Sequence, residues 1–218
     1  MTSKIRKIGV LTSGGDSPGM NAAIRSVVRT CAYHNIECLG IYRGYQGMIE
    51  GDFKEMGPRD VKNIINKGGT ILKSARSTEF KTKEGRKKAY DNLVAAGIDS
   101  FVVIGGDGSF TGAEIFNEEY GFPVIGIPGT IDNDIYGTDM TFGFQSAVNI
   151  ATNAIDCIHT TATSHGRVFI VEIMGHKVGS LTLHAGIAGG ADIILIPEIP
   201  YDIKKVCAAI EKRNKAGK

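Results

Sequence analysis

The chain has 218 residues, 42% of them hydrophobic, which is enough for one good core or two small ones and suggests one or two domains. Lys plus Arg number 25 against 23 Asp plus Glu, so no basic field argues for nucleic acid or an anionic membrane, and any anion binding must be local. Four cysteines, Cys31, Cys38, Cys157 and Cys207, stand far apart without a CxxC pair or a nearby His at ligand spacing, which argues for reduced thiols and against a zinc site or a disulfide framework. No signal peptide opens the sequence and no apolar run reaches membrane-spanning length, so a soluble cytoplasmic protein is expected.

The first predicted strand, 5–11, leads through a glycine turn into a helix near 18–34, with Pro18 suited to the first helical position. A strand at 38–42, a helix near 60–67 and a helix near 84–96 follow. The next strands, 101–104 and 124–127, alternate with helices near 110–119 and 141–160. Strands at 168–173 and 193–196 then alternate with helices near 179–189 and 202–214. The strands are short Ile- and Val-rich runs without polar alternation, as expected for strands buried on both faces. Alternating strands and helices predict an α/β fold, with open parallel-type sheets, helices on both faces and ligands at the carboxyl ends of the strands. The polar interval 133–141 is the best crossing between two lobes, and a break near 138 divides the chain into 1–138 and 139–218. The Lys- and Arg-rich end, EKRNKAGK, reads as a helical tail with no terminating element, a cut rather than a finish.

Three strand ends carry polar chemistry. Gly105-Gly106-Asp107-Gly108-Ser109 stands between a strand and a helix. Its glycines let the backbone approach an anion, the helix start favours phosphate, and Asp107 offers a hard oxygen to Mg²⁺. The same residues also fit a tight strand-helix turn with Ser109 as N-cap. A dinucleotide reading is weak, because a carboxylate inside the turn repels pyrophosphate unless a metal intervenes, and no GxxxxGK[ST] loop is present. Thr12-Ser13-Gly14-Gly15-Asp16 forms a second glycine turn that could flank the same polyphosphate. Pro128-Gly129-Thr130-Ile131-Asp132-Asn133-Asp134 supplies two carboxylates at i and i+2, either of which could take a proton from an attacking hydroxyl. Arg76, Lys81, Arg86 and Arg167 are the cations available for phosphoryl oxygens.

Taken together, VLTSGGDSPGMNAAIR, NKGGTILKSAR, VVIGGDGSFTGA, GIPGTIDNDIYGTDMTFGF, SHGR and VEIMG, in this order, resemble the bacterial-type ATP-dependent 6-phosphofructokinases over essentially the whole chain. The resemblance implies phosphorylation of fructose 6-phosphate to fructose 1,6-bisphosphate in glycolysis, with Mg²⁺ as cofactor and ATP as co-substrate. ATP and magnesium would be held by Gly15, Arg76, Ser77, Gly106, Asp107, Gly108 and Ser109, with Asp107 the metal-linked carboxylate. Thr130, Ile131, Asp132 and Asp134 would contact the sugar phosphate, with Asp132 as proton acceptor and Arg76 on the transferring phosphoryl group. Arg167 would reach a neighbouring subunit's sugar phosphate, so a homo-oligomer, the family tetramer, is implied. Pyrophosphate-dependent relatives typically carry Asp and Lys where this chain has Gly108 and Gly129, and glycine at both leaves room for a nucleotide.

Departures from the family pattern accompany this match. His176 stands in Met174-Gly175-His176, where the family usually has arginine for the substrate, and an imidazole cannot replace a bidentate guanidinium. Arg25, Arg29, Gly190 and Asp192 match the allosteric effector site, but His159 replaces an arginine. Family members also run on well past this length, so the chain corresponds to their N-terminal two-thirds, with the second lobe incomplete. Two alternatives stay open: a non-catalytic nucleotide-binding fragment, and another GGDG-type kinase acting on NAD or a lipid.

Overall fold

The computed structural model describes residues 5–216, which form two compact units. One unit reaches to Thr130 and resumes over Asp134–Gly143; the other comprises Ile131–Asn133 and the chain from Phe144. After the short excursion Ile131–Asn133, the chain passes into the second unit for good between Gly143 and Phe144.

The first unit is a six-stranded sheet built from β1 (Lys7–Thr12), β2 (Glu37–Ile41), β3 (Phe53–Glu55), β4 (Ser100–Gly105), β5 (Val124–Thr130) and β6 (Phe142–Gly143), in the order β3-β2-β1-β4-β5-β6. All neighbours run parallel except the edge pair β2–β3. Four helices accompany it: α1 (Met20–Tyr33), α2 (Gly44–Glu50), α3 (Lys83–Ala95) and α4 (Asp107–Tyr120). Successive strand residues point to opposite faces. Leu11 and Val103 therefore pack with α2, α3 and α4 residues such as Met48, Leu93 and Phe116. Their neighbours Val10 and Ile104 pack instead with Met20, Ile24 and Val28 of α1 and with Leu72. The α1 stripe Met20, Ile24, Val28 and Cys31 has the spacing of one helical face.

Several expectations need correction. Pro18 is not the first helical residue: α1 starts at Met20 behind Gly19, whose φ of 100° only glycine adopts readily. Residues 60–67 form i,i+3 turns and no helix, with Val61 and Ile64 buried and Asn63 left-handed at φ 58°. Such a residue interrupts the right-handed ladder a helix requires. Cys31 and Cys38, distant in the sequence reading, meet in the core; the hydrogen bond with Cys31, and then burial, pushes the Cys38 thiol far above its ordinary range.

In the second unit the described elements are three helices, α5 (Phe144–His165), α6 (Ser180–Ala188) and α7 (Ile203–Lys215). Phe144 and Val148 of α5 pack with Leu181 of α6, joined by the partly buried Ile131, Ala147 and Ile173. The expected strands 168–173 and 193–196 have no regular secondary structure and no ladder partners among the described residues. Apolar composition alone does not make a strand; it needs a hydrogen-bonded neighbour. The last two residues of the basic tail lie outside the described residues.

One ion pair ties α3 to α4. Arg86, expected to be a free cation for phosphate, donates from Nε and Nη2 to the Glu119 carboxylate at 2.6 and 2.7 Å, and from Nη1 to the Phe80 and Lys81 carbonyls at 3.0 and 2.8 Å. That hydrogen bonding holds the Glu119 carboxyl below its ordinary range. Because the folded pKa is depressed, the stabilisation is full above the unfolded carboxylate value of about 4.3 and disappears as pH falls through the folded value. Glu119→Gln is expected to lower the thermal midpoint at pH 7 and flatten its fall in acid. Parallel midpoint-against-pH curves for the two proteins would contradict this.

Candidate functional site

The chain leaves β1 for β2 on one side and later returns to place β4 on the other, so the order of strands reverses at β1/β4. In open α/β sheets a ligand crevice lies beyond the carboxyl ends at such a reversal. Here those ends carry the two glycine turns. Thr12 pairs with Ile104, and the Ser13 amide donates to the Ile104 carbonyl at 3.0 Å. A Cβ on Gly105 would lie 2.5 Å from the Ser13 carbonyl oxygen, so the close approach of the two turns demands glycine there. Gly15 and Gly108 differ: neither has a positive φ, and an added Cβ would meet nothing within 4 Å. Packing does not explain glycine at these two positions. The open space beside these backbones is what a phosphate-binding turn would require.

Gly106 is the N-cap of α4, Asp107 its first residue, and Ser109 a buried residue of the first turn rather than the cap expected from sequence. Asp107 and Gly108 are exposed. The turn is anchored from below by the Tyr45 hydroxyl, which donates to the Ser109 carbonyl, while Tyr45 stacks on Phe80 with centroids 4.0 Å apart. Burial pushes the Tyr45 phenol up, so it stays a donor at neutral pH.

Arg76 and Ser77 sit on a loop, 66–78, that has turns but no helix or strand. Asn21 of α1 holds its start: the side-chain amide donates to the Lys67 and Gly68 carbonyls at 2.9 and 3.3 Å and accepts from the Ile71 amide at 2.8 Å. Leu72 is fully buried, and its carbonyl accepts from the Arg43 amide at 2.8 Å. Thr12 bonds the Thr70 hydroxyl at 2.9 Å and donates to the Lys73 carbonyl at 2.8 Å. The Ser77 hydroxyl donates to Gln46 at 2.8 Å and accepts from the Phe80 amide at 3.1 Å, so it shapes the loop. Arg76 is exposed, with no ion pair among the described residues.

The third cluster begins at the end of β5. Gly106 abuts Thr130, whose Cβ a methyl on Gly106 would meet at 3.7 Å, and Thr141 donates to the Thr130 carbonyl at 2.7 Å. Gly15, Gly106–Ser109 and Thr130 thus cluster on three adjacent strand ends of one unit. Beyond Thr130, Ile131 and Asp132 are partly buried, Asn133 is left-handed at φ 52° and Asp134 is exposed. Gly129 has a packing reason for being glycine, since a Cβ there would overlap the Phe142 ring. Room for a nucleotide is therefore an argument at Gly108, not at Gly129.

In the second unit Arg167, Met174 and His176 are exposed. His176 occupies the left-handed tip, φ 52°, of a turn closed by the Val178 amide on the Gly175 carbonyl at 2.9 Å. His159 Nε2 lies 2.8 Å from the Gly189 carbonyl, next to the left-handed Gly190, and Asp192 pairs with Arg213 at 2.7 Å. In the first unit Arg25 donates to the Val61 carbonyl at 2.7 Å and Arg29 is exposed. Arg25, His159 and Asp192 each have an intramolecular partner. No group of three or more metal-ligating side chains occurs among the described residues. The anchoring roles of Thr12, Asn21, Tyr45 and Gln46 have no signature in residue type or spacing, apart from an Asn inside the apolar stripe of α1, which signals buried hydrogen bonding.

Residues 7–218 match the phosphofructokinase family model. The chain belongs to the phosphofructokinase family. It is 57% identical over 214 residues to ATP-dependent 6-phosphofructokinase 1 of Thermus thermophilus and 58% to the ATP-dependent 6-phosphofructokinase of Halothermothrix orenii. These matches cover 98% of this chain but 66% and 64% of the relatives, so it spans somewhat under two thirds of their length. Among solved structures, Pichia pastoris phosphofructokinase in the T-state aligns with TM-score 0.89 at 41% identity, over 97% of this chain and 24% of that one. Phosphofructokinase from Saccharomyces cerevisiae aligns with TM-score 0.83 at 44% identity, over 86% of this chain and 28% of that one.

The contrast between the two glycines is testable by urea unfolding. Gly129→Ala is expected to cost about 1–3 kcal/mol by overpacking against Phe142. Gly108→Ala, in the first turn of α4 with open space around it, is expected to be neutral or stabilising by up to about 1 kcal/mol. A Gly108→Ala loss as large as that of Gly129→Ala would mean that packing, not ligand access, requires Gly108.

Proposed function

We propose that this chain forms the nucleotide-binding lobe and part of the sugar-phosphate lobe of an ATP-dependent 6-phosphofructokinase. The complete enzyme would transfer the terminal phosphoryl group of ATP to fructose 6-phosphate, giving fructose 1,6-bisphosphate. The observation that carries the reading is the pair of glycine turns held side by side at the β1/β4 reversal, one bearing Asp107 at a helix start. That relatives more than half identical are ATP-dependent 6-phosphofructokinases supports ATP as donor. Residues 1–138 would hold Mg-ATP, and 139–218 would contribute to the sugar-phosphate site.

Magnesium fits this donor set, because Mg²⁺ is commonly held by one or two carboxylates together with substrate phosphates and water rather than by an all-protein cage. Asp107 would hold it, and when bound it would neutralise charge on the polyphosphate. Backbone amides around Gly15 and Gly106–Gly108 would orient the phosphate chain, with the Ser109 amide closing the turn on the Gly106 carbonyl at 3.0 Å. Arg76 would stabilise charge on the transferring group, and Thr130 would help to seat the acceptor. Asp132 would take the proton of the attacking hydroxyl, with Asp134 orienting the loop around it. Ile131, Met174, Gly175 and His176 would line the sugar phosphate. Arg167 would act on a neighbouring subunit's substrate in a cytoplasmic homotetramer, and Arg25, Arg29, His159, Gly190 and Asp192 would belong to an effector site.

Two measurements test these roles. Asp107→Ala is expected to weaken Mg-ATP binding at least about tenfold while changing metal-free ADP binding far less, as read by calorimetry; equal losses would remove Asp107 from the metal role. In an active full-length enzyme, Asp132→Asn is expected to lower kcat by about 10²- to 10⁴-fold with little change in substrate affinity. Near-normal turnover would move the base to Asp134 or to water.

A further inference from the structure

Thr12 is the last residue of β1, fully buried, and part of neither glycine turn's exposed backbone. Its hydroxyl touches two points of the loop that carries Arg76. The proton count fixes the direction of the chain of bonds. A threonine hydroxyl has one proton, and that of Thr12 goes to the Lys73 carbonyl at 2.8 Å. The 2.9 Å contact with Thr70 must therefore use the Thr70 proton, and Thr70 Oγ1 in turn accepts from the Leu72 amide at 3.3 Å. Lys73 is held left-handed at φ 59°, three residues before Arg76, and its amide closes back on the Thr70 carbonyl at 3.1 Å. Asn21 pins the other end of the same loop through three hydrogen bonds.

We infer that Thr12, seconded by Asn21, is a positioning residue for Arg76, coupling the strand that carries the first phosphate turn to the arginine serving the terminal phosphoryl group. The inference rests on the proposed reading of Arg76. The loop has no helix or strand of its own, so its path depends on anchors from outside it: Thr12 and Asn21 hold the part before Arg76 together with the Arg43 amide and the buried Leu72, and Gln46 holds Ser77 just after it. A guanidinium can match phosphoryl oxygens bidentately only if its backbone is fixed to within a fraction of an ångström. A bare polar core residue would serve stability alone. Thr12 differs in that both its partners lie within the segment leading to Arg76.

The test is a binding cycle on the 218-residue chain, measuring Kd for Mg-ATP and Mg-ADP by calorimetry, with thermal midpoints as a control. Arg76→Ala is expected to abolish the preference for ATP over ADP. Thr12→Val, which keeps the shape but removes the hydroxyl, is expected to reduce that preference about five- to tenfold, and Thr12→Ser to restore it. In the Arg76→Ala background Thr12→Val should change the preference no further. Asn21→Ser provides the same cycle if Thr12→Val does not fold. Equal weakening of ATP and ADP, or an effect persisting without Arg76, would overturn the inference while leaving the nucleotide site intact. A wild-type chain that does not bind Mg-ATP would overturn the reading of the site itself, and the inference with it.

Discussion

The pairing of β1 with β4, with Thr12 opposite Ile104, is the constraint on which the rest of the site depends. Parallel neighbours end on the same side, so this one register brings the turns after both strands to the same height. Gly105 permits the approach because any side chain would collide with the Ser13 carbonyl. The helix after β4 then begins at Asp107, beside the first turn. Neither turn alone distinguishes a phosphate site from an ordinary strand-helix connection; the proposed site rests on their enforced adjacency at the strand-order reversal.

A second level of organisation is built from polar side chains on buried faces. Thr12, Asn21 and Tyr45 are nearly or fully shielded, yet each sends its hydrogen bonds to loop or helix-start backbone. Such bonds contribute only about 0.5–1.5 kcal/mol each, but leaving their partners unpaired costs more. They are therefore better suited to fixing geometry than to adding stability. Arg86 shows the opposite use of a polar group. Its guanidinium is consumed by Glu119 and two carbonyls, which welds α3 to α4 and leaves Arg76 as the exposed cation of the pair.

Much of the first unit was legible in the sequence, because a central parallel strand such as VVIG is apolar throughout and its glycine-rich exit marks where the strand ends. Elements defined by contacts rather than composition were not. The short helix α2 and edge strand β3 have no long periodic pattern, while Asn63 halts a helix that apolar spacing alone suggested. In the second unit 168–173 and 193–196 have strand composition without a described partner, and composition cannot report pairing. At the site, glycines and carboxylates could be read from type and spacing. The loop anchors could not, since Thr12, Asn21 and Gln46 are joined to residues 31 to 61 positions away. Gly129 illustrates the converse: its residue type suggested ligand access, and its surroundings explain it by packing on Phe142.

The central claim, that the β1 and β4 turns form one polyphosphate site, is tested most directly by backbone amide NMR of the 218-residue chain titrated with a magnesium complex of a non-hydrolysable ATP analogue. The account expects saturable shifts at Gly14–Gly15 and Gly106–Ser109 together, with the same affinity at both turns. Shifts confined to one turn, or clustered away from both, would contradict it.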